Sequence, residues 1–129
     1  MGPLKMSKPL IAIFAALITV QFLQAQMGSP GHGETQAIAL HPTSPDIIYA
    51  GAAKGLCKTV NGGKDNWPTY GLGMLSPRTI IVSEANPDLL YVGTHKMGVY
   101  RSKDGAVTWE AVSEGISYRE MRALAIHPK

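Results

Sequence analysis

The sequence predicts an all-β fold of repeated four-stranded antiparallel units, and three observations carry that prediction. Ser44-Pro45-Asp46-Ile47-Ile48-Tyr49-Ala50-Gly51 returns 42 residues later as Asn86-Pro87-Asp88-Leu89-Leu90-Tyr91-Val92-Gly93. Ala37-Ile38-Ala39-Leu40-His41-Pro42 returns as Ala123-Leu124-Ala125-Ile126-His127-Pro128, with Ile80-Ile81-Val82 as the middle copy. The apolar runs are short and bounded by Gly, Pro and Asp, which suits strands and not helices. A period of 42 to 44 residues is that of a four-stranded β-propeller blade. The chain therefore holds two blades, residues 37–78 and 79–122, and the first strand of a third over 123–129.

Taken in order, residues 1–25 carry Lys5 and Lys8 ahead of an apolar run from Pro9 to Val20, with the small residue Ala25 near its end. This is the layout of a secretory signal peptide. A spanning helix needs roughly 20 apolar residues, and Gln21 and Gln24 interrupt the run. Leu23 fits a cleavage site poorly, so the alternative is an uncleaved membrane anchor. No Cys follows the run, so lipid attachment is not supported. Residues 26–36, rich in Gly, Ser and polar side chains, read as a flexible linker.

The first unit then divides into strands over 37–41, 47–51, 56–59 and 67–70, the second into 79–83, 89–94, 98–102 and 108–112. A Pro-Asp turn follows the first strand of each, a Gly-bounded loop the second, and a Gly-rich hairpin the third. The first two strands of a unit are unbroken apolar runs. That predicts burial on both faces, as in a sheet stacked between neighbouring blades.

Composition fits this reading. The chain has 129 residues, 45% of them hydrophobic and 16% charged, enough apolar surface to exclude disorder. Cys57 is the one cysteine, which excludes a disulfide scaffold; it reads as a small buried strand residue. The formal charge of +3 comes from 12 Lys and Arg against 9 acids, and removal of Lys5 and Lys8 leaves about +1. The remaining cations are interspersed, with no basic run to track a phosphate backbone, so nucleic acid is not an expected partner.

Ser102-Lys103-Asp104-Gly105-Ala106-Val107-Thr108-Trp109 lies between the last two strands of the second unit. It resembles the Asp-box of the BNR, or sialidase-type, β-propellers, Ser/Thr-x-Asp-x-Gly-x-Thr-Trp, with Ala106 in place of a Gly. Thr59 to Trp67 is a weaker copy with Asn61 for the Asp and one extra residue before the Trp. Asp104 can accept from N–H groups of its own turn, Gly105 can take a positive φ, and Ser102 can tie the turn together. Thr59, Asn61, Gly62, Trp67, Ser102, Asp104, Gly105 and Trp109 are therefore expected to be structural. The resemblance agrees: in sialidases such boxes are staples on the face away from the active site.

The resemblance also brings in glycoside hydrolases, including sialidases and xyloglucanase-type enzymes. Those usually need two carboxylates facing one sugar, about 5 Å or 6.5–9.5 Å apart. Blade topology sends Asp46, Asp65, Glu84, Asp88 and Asp104 to the far turns. It leaves Glu114 and Glu120 in near-face loops, Glu110 on an outer strand and Glu34 in the linker. A sialidase-like site would also draw on Arg78, Arg119, Arg122, Tyr70 or Tyr118. The Phe/Tyr-Arg-Ile-Pro motif that opens sialidase domains is absent, and Arg78 and Arg122 repeat one position just before a first strand. No catalytic residue is assigned. His32, His41, His95 and His127 form no metal-ligand spacing, and His41 and His127 copy one strand-end position. No metal or cofactor is expected.

Lys54, Arg78, His95, Lys96, Tyr118 and Arg119 are the candidate ligand-binding residues of the near-face loops, suited to a protein or carbohydrate ligand. The expected function is an exported, non-catalytic binding or assembly scaffold, similar to photosystem assembly-factor and sortilin-type propellers. The alternative is the N-terminal part of an exported glycoside hydrolase. The product is expected to be secreted or periplasmic, membrane-attached only if residues 1–25 stay uncleaved. A propeller needs about four to eight blades to close, so open blade faces are expected to drive self-association.

Overall fold

A computed structural model describes residues 34–64 and 67–128. The predicted signal peptide, linker residues 26–33, His32 and Asp65 lie outside the described residues. Seven strands form: β1 (Thr35–Leu40), β2 (Ile48–Ala52), β3 (Gly55–Thr59), β4 (Pro77–Val82), β5 (Leu90–Thr94), β6 (Val99–Ser102) and β7 (Glu110–Ala111). They make two antiparallel meanders, β1-β2-β3 and β4-β5-β6-β7, which are the two repeat units.

The registers repeat with the sequence. Ala37 faces Gly51 and Leu40 faces Ile48 in the first sheet, while Thr79 faces Gly93 and Val82 faces Leu90 in the second. Both sheets slip by one residue at the start of their first strand. The two sheets pack face to face around Tyr49, Leu56, Ile80, Leu90 and Val92, all nearly free of solvent, with Trp109 and Tyr100 against them. Fully burying one such side chain stabilises by roughly 1.5–3 kcal/mol, so this shared core holds the blades together. Gly51 is required where they meet, because a Cβ there would lie 2.6 Å from the Pro77 carbonyl oxygen.

Several sequence expectations are corrected. β1 starts at Thr35, so the predicted linker gives its last two residues to the sheet. β4 starts at Pro77, which puts Arg78 inside the strand. β2 is buried throughout, but β1 alternates half-buried and exposed residues: Ala37 and Ala39 pack toward the second sheet, while Ile38 and Leu40 are each 38% exposed. Burial on both faces needs a sheet on both sides. The fourth strand of the first unit shrinks to one bridge, Cys57 to Thr69, since Pro68 has no N–H to give a ladder. The segment still holds by Lys58 N–H to the Pro68 carbonyl and Tyr70 N–H to the Leu56 carbonyl. The fourth strand of the second unit is only two residues long. Residues 123–126, expected as a first strand, form none and pair with no described strand.

Candidate functional site

Antiparallel meanders place alternate connections at opposite ends. At one end, the turn end, Gly62 N–H donates to the Asp46 carbonyl and Gly105 N–H to that of Asp88. Here the two hairpins have matching geometry. Ser102 Oγ donates to Asp104 Oδ1 at 2.8 Å and accepts from Ala106 N–H at 2.9 Å. Asp104 also accepts from the Thr108 N–H at 2.9 Å and from the Thr108 hydroxyl. In the first unit Thr59 Oγ1 donates to Asn61 Oδ1 at 2.8 Å and accepts from Gly63 N–H at 3.1 Å.

Gly62 and Gly63 have φ of 69° and 82°, and Gly105 and Ala106 have 68° and 77°. Ala106 thus takes a left-handed conformation that ordinarily favours glycine, a departure its residue type does not announce. Hydrogen bonds from Thr108 and Ser102 hold the Asp104 carboxyl down at about 2. These bonds fix the turn.

The two tryptophans part ways. Trp109 Nε1 donates to the Tyr70 carbonyl at 3.0 Å, across the two units. Trp67 lies 5% exposed with Ile48, Ala50, Ala52 and Cys57 on the outer face of the first sheet, and its Nε1 meets no acceptor. Burial raises the Cys57 thiol, so it is protonated and inert at neutral pH. Lys58 stands over the rings of Tyr49 and Tyr70 and donates to the Gly105 carbonyl at 3.0 Å. His41, expected as a strand-end feature, accepts from Ser44 N–H at 3.1 Å.

The opposite end, the loop end, gathers residues 53–54, 71–76, 95–98 and 112–120. His95 N–H donates to the Ser76 carbonyl, Gly98 N–H to Arg119 and Met121 N–H to Thr94. Glu120 is the hub. Its carboxylate accepts from the Tyr118 hydroxyl at 3.2 Å, pairs with Arg122 at 3.4 Å and lies 3.8 Å from His95 Nδ1. The Tyr118 hydrogen bond holds the Glu120 carboxyl below its usual range, helped by the charges of Arg122, His95 and Arg78. Arg78 Nε and His95 Nδ1 are both buried without a hydrogen-bond partner.

Beside this cluster opens a cleft of about 390 Å³ lined by Ser113, Glu114, Ile116, Ser117 and Arg119. Tyr118 projects with 72% of its surface exposed. Of the six candidate ligand residues, Arg78, His95 and Tyr118 converge on Glu120, and Arg119 lines the cleft. Lys54 and Lys96 are exposed at the same end but form no ion pair among the described residues. Glu120 and Arg122, weighed in the sequence only as a near-face acid and as part of a sialidase-like site, belong to the cluster. The available signal is the spacing Tyr118-x-Glu120-x-Arg122, which puts three side chains on one side of an extended segment. No group of His, Cys, Asp and Glu among the described residues could hold a metal ion.

No family model and no curated protein matches the chain. Solved structures do. An ancestral GH74 enzyme aligns at 22% identity and TM-score 0.52, over 64% of this chain and 13% of its own. The GH74 enzyme of Niastella koreensis aligns at 24% and 0.54, over 64% and 14%. The GH74 xyloglucanase of Xanthomonas campestris aligns at 17% and 0.51, over 68% and 16%. The likeness establishes the class of fold, an all-β section of a β-propeller. The chain spans about a seventh of the length of these enzymes.

Proposed function

We propose that this chain is a section of an exported Asp-box propeller of the glycoside hydrolase kind, and that its loop end binds a polysaccharide. The observation that supports this most is the cluster around Glu120. Arg119, next to Glu120 in the chain, lines an open cleft with Ser113 and Ser117, and the Tyr118 ring is exposed. Sugar hydroxyls can accept from the Arg119 guanidinium and exchange hydrogen bonds with the serines, and a tyrosine face can stack on a pyranose ring. The likeness to a GH74 xyloglucanase makes a β-glucan backbone the first ligand to try.

The role of these residues is binding. Glycoside hydrolysis uses a carboxylic acid with a raised pKa and a second carboxylate, whereas Glu120 is lowered and is the acid this cluster gathers. That favours the reading of a non-catalytic scaffold for these two blades, whatever the rest of a ring contributes. The test is calorimetric titration of the folded chain with xyloglucan and cello-oligosaccharides, beside a reducing-sugar assay. Saturable binding weakened about tenfold or more in Arg119→Met and Tyr118→Ala, with no sugar released, is expected. Absence of binding at millimolar oligosaccharide would sink the ligand assignment, and sugar release abolished by Glu120→Gln would replace binding with catalysis.

A further inference from the structure

Asn61 stands in the first unit where the second carries Asp104, and a glycine follows each of them. Asn-Gly is the pair at which an asparagine amide is lost most readily, because no Cβ hinders attack by the glycine's own backbone nitrogen. The turn prepares that reaction. The Thr59 hydroxyl donates to Asn61 Oδ1 at 2.8 Å, and the Lys64 N–H donates to the same oxygen at 3.2 Å. Donors aimed at an amide oxygen make its carbon more electrophilic and stabilise the negative charge that a tetrahedral intermediate places there. The attacking atom is the Gly62 nitrogen, whose N–H donates to the Asp46 carbonyl at 2.9 Å, so this bond has to open first. Asn61 and Gly62 are half-buried beside the exposed Lys64, within reach of water.

We propose that Asn61 is a site of spontaneous deamidation and that the folded turn retains the aspartate it leaves, in the manner of Asp104. The Gly62 nitrogen bonds to Asn61 Cγ, the Cγ–Nδ2 bond breaks, and the proton given up by that nitrogen leaves with the amide as ammonia. Water then opens the cyclic imide. Addition of water at Cγ restores the ordinary peptide bond and gives aspartate, whereas addition at the Asn61 backbone carbonyl carbon routes the chain through Cγ and gives isoaspartate. The longer isoaspartyl backbone pulls the Gly63 N–H away from Thr59 Oγ1, a buried bond of 3.1 Å. The fold therefore favours aspartate.

The second unit shows what the product gains. Ser102 Oγ donates to Asp104 Oδ1 at 2.8 Å, as Thr59 does to Asn61, and the Gly105 φ of 68° matches the Gly62 φ of 69°. An aspartate at position 61 inherits the Thr59 and Lys64 donors without backbone movement, and bonds to a charged acceptor are stronger than those to an amide. An acid already stands beside each turn: a Cβ on Gly62 would lie 3.2 Å from Asp46 Oδ1, and one on Gly105 3.4 Å from Asp88 Oδ1. Lys58 Nζ, 3.9 Å from that Gly105 position, offsets the charge in the second turn, so the gain at position 61 is the smaller of the two. The turn end lies opposite the loop end, and this proposal does not depend on the ligand reading above.

Peptide mapping by mass spectrometry of the full chain, aged in warm and mildly alkaline buffer, tests it. Position 61 is expected to gain the mass of an amide-to-acid change, mostly as aspartate. Asn86 is expected to keep its amide, because the nitrogen of Pro87 carries no proton to give up. The same chain aged in urea is expected to convert several-fold faster and mostly to isoaspartate. The Asn61→Asp variant is expected to melt a few degrees above the native chain at neutral pH. An amide that survives at position 61 in the folded chain while the unfolded chain converts completely would overturn the proposal. So would a folded chain that yields chiefly isoaspartate, or an Asn61→Asp variant that melts below the native protein.

Discussion

Asp104 and Asn61 make an internal comparison within one chain. Both accept from the hydroxyl two residues before them and from a backbone N–H further along, but only Asp104 is charged. Its carboxyl falls from 3.8 to about 2, chiefly through the Thr108 hydroxyl. A carboxylate held below its unfolded value adds stability that is present above that value and lost as pH falls through the folded one. Asp104→Asn should therefore lower the melting temperature at neutral pH, and the gap to the native protein should close between about pH 4 and pH 2. Melting followed by circular dichroism across that range checks it; a gap that does not change with pH contradicts it. The Asp, Gly and Ser of this turn were readable in sequence because their chemistry is local. The left-handed Ala106 had only its place in the motif, where the pattern has a Gly, to mark it, because alanine itself carries no signal for that conformation.

Between elements, the bond from Trp109 Nε1 to the Tyr70 carbonyl joins the units that the shared core presses together. Trp109→Phe keeps most of the apolar contact and drops the donor, so it should cost about 1 kcal/mol. Trp109→Ala should cost about 3–5 kcal/mol. Urea unfolding monitored through Trp67 fluorescence separates the two, and equal losses would mean that the hydrogen bond contributes nothing. Strand order and turn positions were legible from periodicity and from Gly, Pro and Asp. Strand lengths were less so. β1 is buried on one face only, and the segment after Trp67 is held by two backbone bonds with a proline between. Both outcomes depend on which sheet lies alongside, and local sequence does not encode that.

For the whole molecule, the proposed export signal over residues 1–25 predicts a processed chain that begins at Gln26. Expression in a host with a general secretion system, followed by N-terminal sequencing, checks this; a chain that keeps Met1 and partitions with membranes would favour the anchor. The charge of that form is about +1. The sequence alone determined the repeat, its period and the turn chemistry, because each is written in residues near one another along the chain. The tertiary structure decided what those residues could not. Glu120 gathers Tyr118, Arg122, His95 and Arg78 only because β4, the loop after β5 and the segment after β7 meet at one end. Trp109 bonds across to the carbonyl of the preceding unit, whereas Trp67 packs within the outer face of its own sheet. Long-range stacking sets both, through distances that no repeat in the sequence measures.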